Sequence, residues 1–126
     1  MANVPQGLKY TEDHEWVKVE GNFATFGITD YAQGELGDVV FLELPDKDDD
    51  VKQREAFGSI EAVKTVADLF APVSGKVVDV NSSLEDAPET INTDPYGAGW
   101  LVKVEMSDPA ELDGLMDADA YTQHIA

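Results

Sequence analysis

A chain of 126 residues with 26 acidic and 8 basic side chains, a formal net charge of −18, is long enough for one domain with its own core and too short for two of ordinary size. An excess of negative charge on this scale repels nucleic acid and anionic membrane as partners. Cysteine is absent, which excludes a disulfide framework, a thiolate metal site and protein-borne thiol chemistry, so any sulfur redox chemistry would arrive on a cofactor.

The N-terminal residues, Met1 to Gly7, carry neither a basic-plus-apolar secretory pattern nor an Arg-rich transit pattern, and no apolar run approaches membrane-spanning length. A cytoplasmic location is the expectation, with an organellar protein freed of its presequence left open. Molar salt shortens the Debye length to about 3 Å. Self-repulsion of this size is then tolerable, and a halophilic source is a hypothesis that the charge invites.

In chain order, Lys9-Tyr10 and Trp16-Val17-Lys18-Val19 lead through Glu20-Gly21-Asn22 into Phe23 to Ile28, a first hairpin by composition. Thr29 to Leu36 reads as a short helix, with Thr29 or Asp30 to cap its start and Gly37 to end it. Val39 to Leu44 is apolar nearly throughout, which predicts a strand buried on both faces and stopped by Pro45. Asp46-Lys47-Asp48-Asp49-Asp50 is a charged loop that lacks the chelating spacing and the downstream Glu of an EF-hand.

Phe57 to Phe70 is the most informative stretch. Two apolar runs flank Lys64, and Ala71-Pro72-Val73-Ser74-Gly75 follows as a turn, so each run is the natural partner of the other and Lys64 falls at the tip of a hairpin. A lysine there cannot fold its stem onto the core and offers its ammonium to whatever docks. Such a place suits a covalent attachment point. Val63, Thr65 and Val66 favour the extended backbone on either side.

Lys76 to Val80 is another strand, Asn81 to Asp94 is polar with turns around Pro88 and Pro95, and Trp100 to Glu105 alternates as the last strand. Asp108-Pro109-Ala110-Glu111 combines an N-cap aspartate, a proline at the first helical position and a capping-box glutamate, which predicts a C-terminal helix over about residues 109–124. Phe26-Gly27-Ile28 and Phe57-Gly58-Ser59-Ile60 hint at two quasi-symmetric halves. The whole is a mainly β single domain spanning 1–126, a small sandwich or flattened barrel with helical edges. His14 and His124, the two histidines, stand far apart in sequence and make thin metal ligation. Trp16, Phe70, Tyr96 and Trp100 read as core or rim aromatics.

The segment Glu61-Ala62-Val63-Lys64, with Thr65-Val66, Ala67-Asp68 and Ala71-Pro72-Val73-Ser74-Gly75, resembles the lipoyl-lysine segment of the H protein of the glycine cleavage system. Three further stretches resemble the same family in the same order. They are Gly7 to Tyr10 with His14 to Val17, Gly27 to Ala32 with Leu36 to Val40, and Ile91 to Gly97 with Trp100 to Val102. The resemblance implies a barrel-sandwich hybrid of the lipoyl and biotinyl carrier type, with short helices in the middle and at the C-terminus.

It also implies a function. Lipoate would be joined to Lys64 by a lipoate-attaching enzyme, with Glu61, Val63 and Thr65 recognised at the tip. The arm, reaching on the order of 15 Å, would shuttle the aminomethyl group of glycine. Its partners would be glycine decarboxylase with pyridoxal phosphate, aminomethyltransferase with tetrahydrofolate, and dihydrolipoamide dehydrogenase with FAD. The chain would be a carrier and no catalyst, a monomer with no metal. Glu15 and Asp68 are the positions that would hold the loaded arm in a cleft, and Asp13 departs from the serine of some relatives. Asn92, Asp94, Pro95 and Tyr96 match a family turn and read as scaffold first, with partner contact second. A biotin carrier is a rival, although those domains usually flank the lysine with methionines where Val63 and Thr65 stand. A lipoyl domain of a 2-oxoacid dehydrogenase, an H-like lipoyl donor for other enzymes and a plain interaction module are the others.

Overall fold

The computed structural model describes residues 3–126; Met1 and Ala2, the start of the N-terminal segment considered above, lie outside the described residues. Among the described residues nine strands form two antiparallel sheets. The larger contains β1 (Lys9–Tyr10), β2 (Glu15–Glu20), β3 (Phe23–Ile28), β5 (Asp50–Val51), β8 (Gly75–Val80) and β9 (Val102–Met106), in the spatial order β1-β2-β3-β9-β8-β5. The smaller contains β4 (Val39–Glu43), β6 (Ala56–Ala62) and β7 (Val66–Phe70), in the order β4-β6-β7.

Alternation explains the larger sheet. Along β9, Val102, Val104 and Met106 are buried while Glu105 is exposed, the period-2 pattern of a strand with one face on the core. Val17, Phe26, Val73 and Val77 belong to the same core, and Phe57 of the smaller sheet meets Phe26 edge to face at 5.2 Å. The two phenylalanines of the quasi-repeat therefore face each other across the sandwich. Ile28, Val39, Ile60, Leu69, Leu84, Ile91 and Leu101 form a second cluster beneath the hairpin that bears Lys64.

The mid-chain helix is α1 (Asp30–Leu36). Thr29 caps it by accepting from the Ala32 N–H at 3.2 Å, and the Gly37 N–H closes it on the Gln33 carbonyl. A one-turn helix, α2 (Thr90–Thr93), lies in the polar stretch. Two expectations need correction. Val40 and Phe41 on β4 are 49% and 54% exposed. An apolar run does not reveal that β4 stands at the edge of a three-stranded sheet, nor that a bulge between Val39 and Phe41 turns both side chains outward.

The C-terminal helix over 109–124 is also broken. A 3-10 turn spans Pro109–Gly114, the chain then extends so that Met116 exchanges two backbone hydrogen bonds with Tyr10, and Asp117 caps a new helix, α3 (Ala118–His124). Asp108 does cap the first turn. Glu111, however, leaves its capping-box role and accepts from the Ser74 N–H at 2.6 Å and the Ser74 hydroxyl at 2.8 Å. A tertiary charge-assisted pair of bonds is stronger than one local cap.

Candidate functional site

Strands β6 and β7 pair Glu61 with Val66, Ile60 with Ala67 and Ser59 with Asp68. The Ala62 N–H donates to the Thr65 carbonyl at 2.8 Å, closing a two-residue loop of Val63 and Lys64. Val63, Lys64 and Thr65 are all exposed, as is Glu61. The loop is braced from the side, because the Val63 N–H donates to the Asp38 carbonyl at 2.9 Å.

The Lys64 stem lies over Gly37, where a Cβ would come within 3.3 Å of Lys64 Cε. The stem stays off the core, as the sequence implies, yet it rests on the body of the protein. Gly37 has φ +81°, a conformation that favours glycine, so one residue both ends α1 and makes a bed for the lysine. Asn92 fixes that bed: its Oδ1 accepts from the Val39 N–H at 2.9 Å, and its Nδ2 donates to the Gly37 carbonyl at 2.9 Å and to Gln33 Oε1 at 3.0 Å. In the sequence Gly37 reads as a helix stop and Asn92 as scaffold first, with partner contact second. Their shared link to Lys64 has no local signal, since 27 positions or more separate them from it.

A cleft of about 340 Å³ runs beside β7, the other edge strand of the small sheet. Glu15 and Asp68 both line it, with Asp13 and Glu35 also present and Ile28, Ile60 and Leu69 among its apolar walls. The structure thus brings together the two acids that the sequence singles out. They differ in kind. Asp68 is exposed, whereas Glu15 is only 2% exposed. Glu15 Oε1 accepts from the Thr11 hydroxyl at 2.7 Å, and the Phe70 N–H also favours its charged form. Burial outweighs both and pushes its pKa up to about 8, so it is mostly protonated at neutral pH.

Behind His14, which lines the cleft, the two ends of the chain meet. His14, held at φ +71°, places Nδ1 2.9 Å from the Tyr121 hydroxyl, which also meets Thr29 Oγ1 at 2.7 Å. Tyr121 is fully buried and stacks on Tyr10 with centroids 4.7 Å apart. His124 lies 5.7 Å from His14 between ring centroids, so the two histidines that are remote in sequence are neighbours. Burial, followed by the nearby His124, lowers the His14 pKa and favours a neutral ring. Among the described residues no group of three or more potential ligands is placed to hold a metal ion. Trp16 is buried, its indole N–H donates to the Pro95 carbonyl at 2.9 Å, and Gly27 leaves room for its ring.

The model of the glycine cleavage H-protein family matches residues 8–126. The chain belongs to the glycine cleavage H-protein family. It is 60% identical over 122 residues to the glycine cleavage system H protein of Staphylococcus haemolyticus, covering 97% of each chain. Identity to the H protein of Symbiobacterium thermophilum is 61% over 121 residues, covering 96% of this chain and 94% of that one. The crystal structure of the H protein from Mycobacterium marinum superposes with a TM-score of 0.89 at 41% identity, covering 97% and 98% of the two chains. The fold is accordingly the barrel sandwich of lipoyl domains, and the function is the family's, a lipoyl carrier of the glycine cleavage system.

Proposed function

We propose that Lys64 is the residue that carries lipoate, as an amide, and that the cleft beside β7 receives the loaded arm. The observation that carries this reading is an exposed lysine at a braced loop tip, with a cleft lined by four acidic residues, Glu15 and Asp68 among them, beside the same hairpin. Amide formation removes the lysine charge. The attached lipoate supplies the disulfide that takes up an aminomethyl group and is later restored by oxidation. Everything else asked of the chain is positioning. Val63 and Asp38 hold the tip, Gly37 and Asn92 support the lysine stem, and Glu61, Val63 and Thr65 present themselves to the attaching enzyme.

Glu15 and Asp68 act on the cargo. A protonated Glu15 leaves the empty cleft without a buried charge. An ammonium arriving beside it favours the carboxylate, so the proton departs and a charge-assisted hydrogen bond worth about 1.5–3 kcal/mol takes its place. Asp68, being exposed, contributes about 0.2–1 kcal/mol. His14, held from behind by Tyr121, forms part of the wall that keeps water from the cargo.

The partners in this reading are glycine decarboxylase, aminomethyltransferase, dihydrolipoamide dehydrogenase and a lipoate-attaching enzyme, served by a non-catalytic cytoplasmic monomer. Bacterial relatives support that location. Among the described residues no helix is long and apolar enough to cross a membrane. Intact mass of the wild type and of Lys64→Ala after incubation with lipoate ligase, lipoate and ATP tests attachment. A glycine–bicarbonate exchange assay with the decarboxylase tests the pathway. Uptake of lipoate by Lys64→Ala contradicts the assignment.

A further inference from the structure

Among the described residues six large apolar side chains are exposed: Val19, Phe23, Val40, Phe41, Val63 and Val66. Isolated cases need no explanation, whereas a cluster does. Val19 and Phe23 belong to the β2–β3 hairpin, and Phe23 is covered by the Lys103 ammonium 5.2 Å from its ring centroid. The other four gather at the Lys64 end of the small sheet. Phe41, Glu61 and Val66 stand in one row across β4, β6 and β7, neighbouring strands lying about 4.8 Å apart. Val40 joins them through the bulge, and Val63, 73% exposed, comes from the loop that is bonded to Asp38. A bulge on an edge strand beside a functional side chain is a device for re-aiming residues.

We propose that Val40 and Phe41, with Val63 and Val66, form the docking surface for the enzyme that acylates Lys64, a partner presenting an apolar contact with a basic rim. This rests on Lys64 being the attachment site. The choice of occupant follows from reach. An acylating enzyme must bring an activated carbonyl to Nζ, about 6 Å from the lysine Cα, and so must cover the ground around the tip. Enzymes that act at the far end of the arm have about 15 Å of it between their reacting atoms and the tip, so their chemistry does not require cover there. The amide forms when neutral Nζ displaces the adenylate of an activated lipoyl group. AMP leaves with the bonding pair, and the surplus Nζ proton passes to solvent.

Charge gives the rim its sign. Asp38, Glu43 and Glu61 are exposed around the patch on a chain of net charge −18, which calls for lysine or arginine opposite. An apolar centre with a charged border is ordinary interface anatomy, and its small size suits a complex that must release its product.

The test measures acylation by intact mass with purified lipoate ligase, lipoate and ATP. The double variant Val40→Ser/Phe41→Ser is expected to lose about tenfold in kcat/KM, through KM, while Phe41→Leu retains activity and Val19→Ser matches the wild type. Rising salt lowers kcat/KM for the wild type. With the unmutated chain, amide hydrogen exchange in the ligase complex shows protection over residues 39–43, a readout that needs no variant to fold. Unchanged KM in the double variant overturns the proposal, as does an equal loss in Val19→Ser or no protection over 39–43. Normal acylation with slowed glycine–bicarbonate exchange overturns it too, and gives the face to the decarboxylase. Lipoate uptake by Lys64→Ala sinks the attachment site itself, a separate failure.

Discussion

The tip of the β6–β7 hairpin and the wall around Glu15 are the two halves of one function, built in opposite ways. The tip is made from consecutive residues, is exposed throughout, and is braced chiefly by backbone hydrogen bonds. The Glu15 wall draws Thr11 and His14 from one end of the chain and Tyr121 and His124 from the other, and it is buried enough to move pKa values. A group that must be offered to several enzymes needs exposure, which local sequence supplies, and stiffness, to which Asp38, Gly37 and Asn92 add from the side. A group that must recognise a cation needs a dry surround, which only packing of distant segments supplies.

The largest expected effect breaks the tip outright. Lys64→Ala folds as the wild type does, because no core contact is lost, and takes up no lipoate in an intact-mass assay. Next comes a pH experiment on the wall. Glu15 binds its proton more tightly folded than unfolded, so between about pH 4.5 and pH 8 the native state holds more proton and stability falls as pH rises. In urea titrations the fall across that window amounts to a few kcal/mol, because each tenfold gain in proton affinity on folding is worth on the order of 1.4 kcal/mol. Glu15→Gln removes it, and the loaded form of that variant hydrolyses about tenfold to a hundredfold faster, the loss of one charge-assisted bond.

Smaller effects sharpen the contrast. Gly37→Ala places a methyl against the Lys64 stem at a positive φ, and should cost about 1 kcal/mol of stability while slowing acylation at the tip. The same variant leaves the Glu15 pH slope unchanged, which separates the two regions. At the low end, Arg54→Met breaks the 3.0 Å pair with Glu12, whose side chains are 68% and 60% exposed, and changes stability by less than about 1 kcal/mol in a thermal melt.

Legibility in the sequence follows the range of the interactions. The first hairpin, α1 with its Thr29 cap and Gly37 stop, the Lys64 loop and the alternating β9 are short-range patterns, and each stands where its residues imply. Val40 and Phe41 read as buried because hydropathy cannot tell an interior strand from an edge strand with a bulge. The C-terminal capping signals are real, since Asp108 does cap a turn. The helix ends early because Glu111 goes to Ser74 and Met116 to Tyr10, 37 and 106 positions away respectively.

The amino-acid sequence by itself determined the family, the mainly β architecture and the lysine that stands at a turn, because turn chemistry, strand period and motif order are carried by neighbouring residues. Only the tertiary structure decided that Glu15 is buried and protonated while Asp68 stays in water, that His14 meets His124, and that Gly37 lies under Lys64. Burial and through-space contact are properties of how the sheets close, and the Glu15 carboxyl acquires its pKa from that enclosure.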